Sequence, residues 1–115
     1  MAKTAIQSAY LENVEKILWH LAQYKTKRAS FVYRRKRHRF LDPGISAAIE
    51  KRILVETLRL LGVPFEEDRR RKRTIITVLD TDILRERLDS KDIVRVLENA
   101  YHNTMRNMWG RGLEQ

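Results

Sequence analysis

Five cations stand in a row at Arg69, Arg70, Arg71, Lys72 and Arg73, and they constrain everything around them. Adjacent cations cannot be stripped of water without partners, so the run projects into solvent or against something anionic. The flanking sequence makes it the tip of a hairpin. Ahead of it, Ser46 offers a helix N-cap, and Ile49, Ile53, Leu54, Leu58 and Leu61 recur at three- and four-residue spacing. That pattern predicts a helix over residues 46–61 with one apolar face. Gly62 can take the left-handed conformation that closes a helix, and Pro64 lacks the amide that another turn needs. Residues 63–65 and 74–79 then read as two short strands, the second β-branched through Thr74, Ile75, Ile76, Thr77 and Val78. Between them Glu66, Glu67 and Asp68 precede the cations. Either the acids neutralise the tip as a solvated loop, or the tip faces a polyanion.

A second basic run weighs on that choice. Residues 25–41 hold Lys25, Lys27, Arg28, Arg34, Arg35, Lys36, Arg37 and Arg39 and no acid. Ala29, Phe31 and Tyr33 alternate with Ser30 and Val32, which begins the segment as a strand; residues 34–39 fit either its extension or a turn of helix. Phe31, Tyr33, His38 and Phe40, interleaved with cations, fit base stacking, while Phe31 and Tyr33 on one strand face equally fit a core. Asp42, Pro43 and Gly44 turn the chain toward Ser46. On the following helix Arg52, Glu56 and Arg59 form a polar stripe beside Lys51. Lys51, Arg52 and Ser46 are the long donors and acceptors near a helix start that major-groove readout uses; the alternative is a solvated face with a Glu56–Arg52 pair.

The ends of the chain are helical. Ile6, Tyr10, Val14, Ile17, Leu18 and Leu21 predict a first helix over residues 4–24, with Glu12, Glu15 and Lys16 outside. Trp19 lies at the edge of this stripe, as core or as contact with a partner subunit. After the hairpin, Asp80 or Thr81 caps a short helix through Leu88, and Ser90 caps a longer one carrying Ile93, Leu97, Tyr101, Met105, Met108 and Trp109 to Gly110. Asp80, Asp82, Asp89 and Asp92 gather at these helix starts, where the dipole favours negative charge.

At 115 residues the chain is expected to form one α+β domain, about four helices with a short antiparallel sheet. Its net charge of +9 makes nucleic acid the expected partner. The absence of cysteine excludes disulfides, thiolate metal sites and a cysteine nucleophile. His20, His38 and His102 are scattered, so neither metal nor cofactor is expected. Gly-rich phosphate loops, catalytic triads and paired carboxylates are missing, which predicts a protein that is not an enzyme. With no apolar run of about 18 residues and no leader pattern, the chain is expected in the cytoplasm, away from membranes. Arginine outnumbers lysine and glycine is scarce, a composition that fits a thermophile.

The helix of residues 46–61, its Leu61–Gly62 stop and the charged hairpin resemble the recognition helix and wing of winged-helix DNA-binding proteins. Glu67, Asp68, Arg69 and Arg70 ahead of the second strand are similar to the wing of MarR-type regulators. The resemblance covers residues 46–80 and leaves only residues 34–41 for the family's preceding helix. It implies a winged-helix-like domain that regulates transcription as a homodimer, paired through its first and last helices. The chain is therefore expected to bind double-stranded DNA, as a regulator or chromatin-type protein. The expected contacts are Lys25, Lys27, Arg28, Arg34, Arg35, Lys36, Arg37, Arg39, Lys51, Arg52, Arg69, Arg70, Arg71, Lys72 and Arg73. The alternatives are an RNA-binding or ribosome-associated protein, and a structural module that binds an acidic protein surface.

Overall fold

A computed structural model describes residues 5–34 and 46–114. Four helices and three strands follow in the order α1 (Ala5–Ala22), β1 (Ala29–Arg34), α2 (Ala47–Leu61), β2 (Phe65–Arg69), β3 (Arg73–Val78), α3 (Thr81–Ser90) and α4 (Ile93–Glu114). The strands form one antiparallel sheet ordered β1-β3-β2. The α+β class expected from the sequence is what is found. Val14, Leu18 and Leu21 of α1, Ile53, Leu54 and Leu58 of α2, Ile76 and Val78 of β3, Leu84 of α3 and Leu97 of α4 are completely buried together. Removing this much apolar surface from water is the main drive for the helices to cover the sheet.

Local signals set the helix ends. The Ser46 hydroxyl accepts a bond from the Ile49 amide at 3.4 Å, while the Ser46 amide donates to the Tyr10 hydroxyl at 2.8 Å, anchoring the start of α2 to α1. At the far end Gly62 has φ of 72°, its amide reaches Arg59 O at 3.1 Å, and the Val63 amide reaches Leu58 O at 3.0 Å. This pair of bonds is the Schellman closure that a left-handed residue permits. α1 stops at Ala22, earlier than residue 24, as the Gln23 and Tyr24 amides tighten onto His20 O and Leu21 O.

Asp80, rather than Thr81, caps α3: its carboxylate accepts from the Asp82 and Ile83 amides at 3.1 and 3.3 Å. Thr81 is buried and donates to Thr26 O at 2.7 Å. Ser90 does not cap the last helix; it ends α3, and Asp92 accepts from the Arg95 amide at 3.4 Å. The polar stripe of α2 also pairs differently from expectation, with Glu56 bound to Arg59 at 3.2 Å and to Asn103 of α4 at 3.0 Å instead of to Arg52.

The hairpin is longer than the sequence predicts. β2 covers Phe65–Arg69 instead of residues 63–65, and β3 begins at Arg73, so only residues 70–72 turn. The strand absorbs three acids because alternation sorts them: Glu67 lies on the half-buried side with Phe65, and Glu66 and Asp68 lie on the exposed side. Phe31 and Tyr33 share the inward side of β1, their rings 4.9 Å apart, as core anchors. No described helix is long and apolar enough to cross a membrane.

Candidate nucleic-acid interface

β1 pairs with β3 so that Arg34 stands opposite Arg73. Like charges placed directly across a ladder repel, and here they sit beside the turn, which the Arg70 amide closes on Arg73 O at 2.7 Å. The first turn of α2 faces the same region. The result is a groove of about 310 Å³ whose walls include Arg34, Lys51, Arg69, Arg70, Arg71 and Arg73, with Tyr33, Ala47, Ala48 and Thr74 completing its described lining. Six of ten lining residues are cations, so the groove concentrates positive potential between low-dielectric walls.

Carboxylates of β2 offset part of this charge. Glu67 accepts from Lys51 Nζ and from Arg69 Nε, each at 3.0 Å, and Asp68 accepts from Arg70 Nε at 3.0 Å. Burial pushes the Glu67 carboxyl up, but the bonds and charges of Lys51 and Arg69 outweigh it and hold it below the ordinary glutamate value. Lys51 is three-quarters or more buried and bonded to Glu67, so it ties α2 to the hairpin. Arg34, Arg71, Lys72 and Arg73 make no ion pair among the described residues.

A buried carboxylate underlies the groove. Glu50 of α2 is 4 % exposed, and its two oxygens accept from the Tyr33 hydroxyl at 3.0 Å and from Asn13 Nδ2 at 3.2 Å. Burial raises the Glu50 carboxyl above its ordinary value against the lowering effect of both bonds. Burial also raises the Tyr33 hydroxyl, and the Glu50 charge adds to that. β1 and α2, which line the groove, are thereby pinned to each other and to α1.

The expected contact residues divide into groups. Arg34, Lys51, Arg69, Arg70, Arg71 and Arg73 converge. Lys72 is exposed on the turn without lining the groove. Arg52 opens on another concavity, with Glu56, Arg59 and Asn107, between α2 and α4. Lys25, Lys27 and Arg28 lie in the α1–β1 loop beyond the opposite end of β1, a strand about 17 Å long at the usual rise. That loop is held to α3, where the Thr81 amide donates to Lys27 O at 2.8 Å and Lys27 approaches Asp80 at 4.0 Å. Arg35, Lys36, Arg37 and Arg39 lie outside the described residues. Sequence reasoning named Glu67 as a neutralising acid of the hairpin and Tyr33 as a stacking or core ring, and missed Glu50, for which no local pattern gave a signal. Among the described residues no group of three His, Cys, Asp or Glu side chains could hold a metal ion.

Comparison with protein-family models, curated proteins and solved structures yields no match to this chain.

Proposed function

We propose that the chain is a non-enzymatic protein that binds double-stranded nucleic acid, DNA before RNA, mainly through phosphates. The observation that carries this reading is the convergence of Arg34 with the hairpin arginines on one groove at the start of α2. Arg34, Arg71 and Arg73, brought together without an ion pair among the described residues, favour an anionic occupant, and phosphates release counterions when such cations replace them. The aromatic rings nearest the groove support backbone contact over base stacking. Phe31 packs inward, and the Tyr33 hydroxyl is bonded to Glu50. The order of α2 and a charged hairpin also supports the winged-helix reading, in which α2 approaches the duplex and the hairpin flanks it as a wing.

The test is a salt titration of binding to labelled duplex DNA, with duplex RNA, single strands and an acidic protein as competitors. Three to six phosphate contacts give a slope of about −3 to −5 in log affinity against log salt. Arg71→Ala with Arg73→Ala flattens that slope by roughly one unit per contact and weakens all duplex sequences alike. Unchanged affinity and slope in the double variant overturn the reading, and preferred capture of the acidic protein replaces it with the interaction-module alternative.

A further inference from the structure

Trp19 is not used by the core or by the basic groove. It is 37 % exposed on α1, and Tyr24 nearby is 41 % exposed. The indole stands between two concavities of about 480 Å³ each. One is lined by Trp19 with Glu12, Glu15, Lys16, His20 and Gln23, and the other, at the seam of α1 and α3, by Trp19 with Lys25, Arg85 and Asp89 among others. An exposed tryptophan flanked by hollows is the kind of side chain on which protein interfaces centre.

The charges around it are arranged to meet themselves. Glu12 lies about 10 Å from Trp19 along α1 toward its N-terminus at the usual helical rise. Lys25, past the other end of α1, lines the second of these concavities together with Trp19. Neither Glu12, Glu15 nor Lys25 has an ion pair among the described residues. We propose that a second copy of this chain docks here, α1 antiparallel to α1 about a two-fold axis through Trp19. Glu12 of each copy then faces Lys25 of the other, and each indole enters the hollow beside its partner's. Isologous pairing of this kind needs only one self-complementary patch. The groove residues of α2 and the hairpin take no part in it, so a dimer presents two open grooves. An interface built on few side chains gives micromolar association.

Sedimentation from roughly one to a few hundred micromolar, without nucleic acid, tests the dimer separately from the proposed binding function. The wild type is expected to pass from monomer to dimer across that range. Trp19→Ala, at an exposed position, keeps its helical circular dichroism and loses about tenfold or more in association. Glu12→Lys and Lys25→Glu each weaken self-association, and their equimolar mixture restores a dimer, because each altered charge then faces its opposite. A wild type that stays monomeric at the highest concentration overturns the proposal. So does a Trp19→Ala protein that associates normally, or a mixture no tighter than either variant alone.

Discussion

Replacing Tyr33 by Phe removes one hydroxyl from the inner side of β1 and leaves the Glu50 carboxylate with Asn13 as its remaining side-chain donor among the described residues. A hydrogen bond to a charged group contributes about 1.5–3 kcal/mol, so a loss of about 2 kcal/mol is expected once the pH exceeds the folded pKa of Glu50. With an unfolding entropy of roughly 2.1 cal/mol/K per residue, that lowers Tm by about 8 °C for a chain of this length. The deficit depends on pH. Glu50 has a folded pKa raised above its ordinary 4.5, so the folded state keeps a proton that the unfolded chain releases, and this group's effect on stability worsens as pH rises from 4.5 through the folded value. Tyr33 lowers that folded value. Its removal carries the window further upward and enlarges the deficit at the alkaline side, while below pH 4.5 Glu50 is protonated in both states and the deficit shrinks. Thermal unfolding of wild type and Tyr33→Phe from pH 4 to 8, with Glu50→Gln as the control that abolishes the pH-dependent difference, measures this. A Tm unchanged by Tyr33→Phe, or a deficit that is the same at both ends of the range, refutes the buried-carboxylate argument.

Two further substitutions probe the same region and its frame. Glu67→Gln releases Lys51 and Arg69 from their shared carboxylate, so duplex affinity rises several-fold and the salt slope steepens by about one to two units; weaker binding shows instead that Glu67 positions these cations. Gly62→Ala places a Cβ at φ of 72° where nothing lies within 4 Å, so the cost is backbone strain of roughly 1–2 kcal/mol, read from chemical denaturation with an unchanged m-value.

The parts of this fold that sequence reveals are those decided within a few residues of one another. The α2 stripe, its Ser46 cap and its Gly62 stop are local patterns, and each is found where the pattern puts it. β2 is not legible in this way, because Glu66, Glu67 and Asp68 argue against a strand until Lys51 and the hairpin arginines pair with Glu67 and Asp68. The groove depends on a register that joins Arg34 to Arg73, and periodicity carries no information about pairing across such a separation. For the same reason the basic run of residues 25–41 reads as one patch, whereas β1 carries Arg34 away from Lys25, Lys27 and Arg28. Trp19 sits at the boundary of its stripe, where spacing alone assigns no side.

The opposed arginines at the ends of β1 and β3 give added salt two opposite effects. In the free protein, Arg34 and Arg73 repel across the ladder within a chain of net charge +9, and counterions shield that repulsion, so moderate salt makes the fold harder to melt. In the proposed complex phosphates would do the shielding, and the same salt would compete with them and loosen the ligand. On the proposed function, melting temperature and affinity are expected to move in opposite directions along one ionic-strength axis, the free protein being most fragile under the dilute conditions in which a phosphate ligand would be held best.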